Sequence, residues 1–119
     1  MSLPEKSQRG SPHAQALISH LLPDCTTRHT ARGERLDLQV NGQGMCYLIL
    51  EGTIAVYRRS DNMMLSTARS PAVFGLANLT DIYFSDYLKT VSPCLIGTIT
   101  TERGNAIIKE KALWGLLSQ

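Results

Sequence analysis

The side chains best suited to hold a metal or attack an electrophile are few in this chain: three histidines and three cysteines among 119 residues. A metal-dependent β-barrel enzyme sets two or three histidines and a glutamate on adjacent, inward-facing strands. Here His13, His20 and His29 all precede the most strand-like stretch, and no His-x-His pair occurs. His13 and His20 stand seven residues apart and share one face of a helix, which reads as a solvated face rather than half of a ligand site. Cys25, Cys46 and Cys94 are odd in number and widely spaced, without a Cys-x-x-Cys. That argues against a disulfide framework, a zinc knuckle and a clustered iron–sulfur site. Cys46 and Cys94 lie in apolar runs and read as small hydrophobes. Cys25 follows Pro23-Asp24 in a loop and is the candidate redox thiol, although no flanking base activates it. The Asn41-Gly42-Gln43-Gly44 stretch has the glycines of a phosphate-cradling loop but neither the helix nor the lysine that should follow. No Gly-x-Ser-x-Gly and no P-loop occurs. No catalytic residue, metal ligand or cofactor is predicted, and the chain is expected not to be an enzyme.

Composition bounds the remaining choices. The chain is 43% hydrophobic and 18% charged, ordinary values for a globular domain. Its length suits one core that buries roughly two thirds of the surface of the unfolded chain. Twelve basic and ten acidic residues give a net charge of +2 without a polybasic arm, so these residues alone present no duplex-binding face. No apolar run reaches the ~18 residues of a membrane span, and the polar N-terminus lacks the apolar core of a secretory signal. Residues 1–10 are expected to be a mobile leader, residues 11–119 one domain, and the location cytoplasmic, without a membrane partner.

The elements that position these residues follow from period and punctuation. A helix is expected over residues 11–22, with Ser11 as cap and Pro12 in the first turn, stopped by Pro23-Asp24. Thr26 to Thr30 reads as a strand, and Leu36, Leu38 and Val40 alternate as one half-buried strand. Met45 to Leu50 is nearly all apolar, the mark of a strand covered on both faces. Gly52 turns a corner into Thr53 to Tyr57, residues 58–62 are a polar hairpin tip, and Met63 to Ala68 returns. After AVFGLANL and a loop, strands are expected over residues 87–91 and 95–101. A helix over residues 105–119 then carries an apolar stripe of Ile108, Ala112, Leu113, Leu116 and Leu117. Short strands separated by turns every eight to twelve residues indicate a sandwich or roll.

Two runs, Tyr47-Leu48-Ile49-Leu50-Glu51-Gly52-Thr53-Ile54-Ala55-Val56-Tyr57 and Val73-Phe74-Gly75-Leu76, resemble the effector domain of the cyclic-AMP receptor / fumarate-nitrate regulator superfamily. The likeness covers most of the chain. It implies a mainly β fold with flanking helices: a double-stranded β-helix, or jelly roll, of the cyclic-nucleotide-binding kind. An N-terminal helix and a C-terminal dimerisation helix complete it. More narrowly, LILEGTIAVYR, SPAVFGLANL and AIIKEKALW look similar to winged-helix enteric regulators described as inhibiting hydrogen peroxide resistance, a stress-response role. The resemblance implies that Gly75, Leu76, Ala77, Asn78, Phe84 and Ser85 face a ligand. It further implies that Leu113, Leu116 and Leu117 join two copies into a homodimer, and that DNA is bound only through a domain absent from this chain.

The departures from that pattern point away from cyclic AMP. Family members follow the glycine with a glutamate that binds the ribose hydroxyl, whereas Gly75 is followed by Leu76. Where an arginine and a serine or threonine grip the phosphate, this chain reads Phe84-Ser85-Asp86. The bidentate, charge-assisted phosphate contact is lost, and Asp86 would repel an anion if it faced the pocket. Each loss is worth about 1–3 kcal/mol, and together they would remove a micromolar ligand from useful range. The expectation is a regulatory domain with an unknown small-molecule effector or none. The alternatives are a ligand-free dimerisation domain, whose roll is filled by Phe74, Tyr83, Phe84 and Tyr87, and a thiol-based redox sensor.

Overall fold

The computed structural model describes residues 12–76, 86–113 and 115, and two antiparallel sheets organise them. Helix α1 (Pro12–Leu21) is followed by a single 3-10 turn at Leu22–Asp24 and then by β1 (Thr26–Thr30). Strands β2 (Arg35–Asp37), β3 (Gln39–Val40), β4 (Gln43–Glu51), β5 (Thr53–Arg58), β6 (Met63–Arg69) and β7 (Ala72–Phe74) come next. Strands β8 (Asp86–Thr90) and β9 (Cys94–Thr100) lead into helix α2 (Thr101–Glu110). One sheet runs β1-β9-β4-β3 with β7 also on β4; the other runs β2-β8-β5-β6.

The apolar run of β4 sets the layering. Because successive residues of a strand point to opposite faces, Tyr47 and Ile49 enter the space between the sheets. There they meet Leu36, Ile54, Val56, Phe74, Leu88 and Ile96. Cys46 and Leu48 point the other way, under Leu17, Ile18 and Leu21 of α1 and Ile107 and Ile108 of α2. The result is three layers with two cores, and β4 is buried on both faces as its sequence demands. At Gly52 the backbone turns at φ +107°, and a Cβ there would lie 2.8 Å from the Pro93 carbonyl oxygen, so glycine is required.

The alternation Leu36, Leu38, Val40 belongs to two short strands in different sheets, not to one. The chain crosses at buried Leu38, whose carbonyl accepts the Met45 N–H at 2.9 Å, and Val40 emerges 44% exposed. A period of two is met by residues on either side of a crossing, so the pattern alone does not distinguish the cases.

The C-terminal helix also differs from its expected span of residues 105–119. It begins earlier, because the Thr100 hydroxyl caps it by accepting the Arg103 N–H at 3.1 Å. It ends at Glu110 in a Schellman arrangement: the Leu113 N–H reaches the Ile108 carbonyl at 2.9 Å and the Ala112 N–H the Lys109 carbonyl at 3.3 Å, with Ala112 at φ +54°. Leu113 packs back against the outer core, the hydrophobic contact that accompanies this motif. No glycine or asparagine announces the stop, which is why the sequence reads as continuing helix. An L-residue in this left-handed conformation costs about 1–2 kcal/mol, against which glycine loses about 0.5–1 kcal/mol of chain entropy. Ala112→Gly is therefore expected to stabilise the domain by about 0.5–1 kcal/mol in urea unfolding, with an unchanged denaturant slope.

Candidate functional site

The site indicated by the sequence lies where β7 leaves the sheet and α2 begins. Strand β7 pairs with β4, Phe74 opposite Tyr47 and Ala72 opposite Ile49, and this pairing drives the chain end toward the β4 backbone. Gly75 follows at φ +99°; a Cβ there would collide with the Met45 carbonyl oxygen and sit 2.9 Å from Cys46 Cα. Its carbonyl accepts the Thr101 hydroxyl proton at 2.6 Å, tying the turn to the first residue of α2. Leu76 is 6% exposed and joins the outer core with Ile99, Ile107 and Ile108. A methyl group built on Gly104 would lie 2.7 Å from Leu76 Cδ2, so Leu76 seats itself against bare helix backbone. The structure thus directs Leu76 toward α2 and not into the space between the sheets. Ala77, Asn78, Phe84 and Ser85 lie outside the described residues.

Strand β8 begins at Asp86, which is 3% exposed. Leu88 belongs to the inner core, so Asp86, two residues earlier, shares the inward side, and its register partner across the sheet is Arg58. The Arg58 guanidinium is held by Asp61 at 3.0 and 2.9 Å, and that hydrogen bonding raises its already high pKa. Tyr87 points outward, stacked on Tyr57 at 5.4 Å between centroids, with the Arg35 guanidinium 4.0 Å above its ring and its hydroxyl donating to Asn62 Oδ1 at 2.7 Å. Phe74 is part of the inner core, while Tyr87 covers the outer face of the second sheet. Between the sheets lies one apolar cluster, bordered on β8 by buried Asp86 and Thr90, which stand two residues either side of Leu88. Tyr47 brings one hydroxyl, donated to the Asp37 carbonyl, and every buried side-chain nitrogen or oxygen among the described residues has a hydrogen-bond partner.

The other candidates fall elsewhere. Of the dimer residues, Leu113 is half-buried against its own helical layer; Leu116 and Leu117 lie outside the described residues. His13 and His29 are exposed and His20 is partly so. Among the described residues no three His, Cys, Asp or Glu side chains cluster as metal ligands, and no helix is long and apolar enough to cross a membrane. Sequence reading missed Thr101 and Gly104. The signal for Gly104 was present, since a glycine inside a helix costs about 1 kcal/mol against alanine and implies a packing reason. The inward side of Asp86 was readable from its spacing to Leu88.

Cys25, the redox candidate, is partly buried between α1 and β1, with its thiol donating to the Leu21 carbonyl at 3.3 Å. Burial pushes its pKa up to about 11, with the Asp24 carboxylate adding to the rise, and burial raises that of Cys46 still further. A thiol pKa raised above its unfolded value favours the fold fully below about pH 9, and this contribution is lost as pH climbs toward 11. At pH 8 about one molecule in a thousand carries the Cys25 thiolate. Alkylation by iodoacetamide is expected to be slow at pH 8 and to rise close to tenfold per pH unit up to pH 10.

No protein-family model matches the chain, and no curated protein sequence matches it. Solved structures do. A CooA mutant from Carboxydothermus hydrogenoformans superposes with a TM-score of 0.67 at 10% identity, over 98% of this chain and 78% of that one. The c-di-GMP-responsive global regulator CLP of Xanthomonas campestris gives 0.62 at 17% identity, over 82% of this chain. The cAMP-bound PfPKA-R gives 0.58 at 20% identity, over 83% of this chain. This chain spans 49% of CLP and 41% of PfPKA-R, so it corresponds to one part of those longer proteins. The chain has the fold of the cyclic-nucleotide-binding domains: mainly antiparallel β, with helices at either end.

Proposed function

We propose that this chain is the non-catalytic effector domain of a cytoplasmic transcriptional regulator in the cyclic-AMP receptor / fumarate-nitrate regulator superfamily. It acts on DNA through a domain that these residues do not include. The fold supports the superfamily, and the runs LILEGTIAVYR, SPAVFGLANL and AIIKEKALW favour the branch of regulators described as inhibiting hydrogen peroxide resistance. CLP is described as c-di-GMP-responsive and PfPKA-R as cAMP-bound; in this chain the segment from Gly75 to Ser85 is the effector-responsive element, and its effector is not a cyclic nucleotide.

One observation carries that exclusion. The position that should bind a ribose hydroxyl bears Leu76, turned toward α2, and Asp86, which follows the Phe84-Ser85 pair where a phosphate should be gripped, is buried on the inward side of β8. Leucine accepts no hydrogen bond from a ribose hydroxyl, and a carboxylate lacks the paired N–H donors with which an arginine grips a phosphate. Titration calorimetry of the purified chain with cyclic AMP is expected to show no binding up to about 1 mM, roughly −4 kcal/mol. A micromolar Kd would overturn the reading.

A second reading is favoured by the interior itself, where Leu36, Ile49, Ile54, Phe74, Leu88 and Ile96 pack into one apolar cluster. In it the roll has no effector and serves to pair two copies through Leu116 and Leu117, Leu113 being drawn instead onto its own outer core. Sedimentation is expected to show a dimer that Leu116→Glu with Leu117→Glu dissociates. A monomer at about 100 μM would remove the pairing role, because specific dimers of this class are stabilised well beyond that range.

A further inference from the structure

Helix α2 is fastened to the turn after β7 at two points, one polar and one apolar. The Thr101 hydroxyl donates to the Gly75 carbonyl at 2.6 Å. One helical turn on, Gly104 presents bare backbone to Leu76, whose Cδ2 stands only 2.7 Å from where a methyl on Gly104 would lie. Both sides are committed. No larger residue can replace Gly75 in this position, since any Cβ there strikes the β4 backbone at Met45 and Cys46. Gly104 is buried in the interior of α2, and glycine is the weakest helix former apart from proline. The second half of α2 then places Ile107 and Ile108 in the same cluster as Leu76.

We propose that Leu76–Gly104 and Gly75–Thr101 form a latch that holds α2 on the roll by protein groups alone. The α2 position is then set by the turn after β7 and is independent of a cyclic nucleotide. Movement of that turn and release of α2 are one event, because Leu76 cannot leave its seat without uncovering Gly104. This deepens the effector-domain reading, but the latch itself is a statement about α2 and stands or falls on it.

Amide hydrogen exchange of the whole chain tests it. Leu76→Ala is expected to accelerate exchange of amides 105–110 at least tenfold while amides in β9 keep their protection. Unchanged α2 exchange, or equal acceleration in β9, would overturn the proposal, the latter by showing general destabilisation. Gly104→Ala supplies an arm that truncation alone lacks. With Leu76 present the added methyl is expected to speed α2 exchange; in the Leu76→Ala background the methyl has room and its helix propensity is expected to slow it. The same sign in both backgrounds overturns the latch. Cyclic AMP at 1 mM is expected to leave α2 exchange unchanged. Protection of α2 by the nucleotide overturns the nucleotide-independence in this proposal, whereas nucleotide binding by calorimetry with unaltered α2 exchange refutes only the functional reading.

Discussion

The burial of β4 on both faces is the constraint from which the rest of the domain follows. A strand whose alternate side chains are Tyr47 and Ile49 on one side, Cys46 and Leu48 on the other, has no face to offer water. It requires a second sheet on one side and helices on the other, and it requires β9 and β7 beside it to satisfy its backbone. The close approach of Gly75 to Met45 and Cys46 is a local expression of the same demand. Because β7 lies along β4, the turn that ends β7 has nowhere to go but against the β4 backbone, and α2 closes over it.

This geometry explains the apolar character of the candidate site. The turn after β7 is sandwiched between a buried strand and a buried helix face, so a side chain at position 76 meets Ile99, Ile107 and Ile108 instead of water. A carboxylate in that setting would need a partner that the described surroundings do not supply. Leucine resolves the conflict by joining the core. In the second sheet Asp86 places a buried carboxyl group at the start of β8.

Much of this was legible in the residues. The two-sided burial of β4, the corner at Gly52, the polar tip near Asp61 and the first helix all follow from period and punctuation, because local chemistry and tertiary role coincide there. What was hidden depended on contacts between distant segments. The crossing at Leu38 preserves strand alternation while changing sheets. The stop after Glu110 uses Ala112 in a left-handed conformation, which composition does not advertise, and rests on Leu113 finding the outer core. The seat of Leu76 needs Gly104, twenty-eight residues away, and only the fold brings the two together.

The outer strand of the second sheet carries a further consequence. Among the described residues strand β6 pairs only with β5, and it shows Met63, Met64 and Leu65 about half exposed, an apolar edge of the kind that can recruit another extended chain. Between Val56 and Tyr57 the register slips, so Leu65 is an extra residue with no cross-strand mate. Such a bulge bends the ladder and sharpens its twist, leaving the free hydrogen-bonding rim uneven. One supernumerary leucine thus makes this greasy border a poorer template for a foreign strand than its side chains alone would suggest.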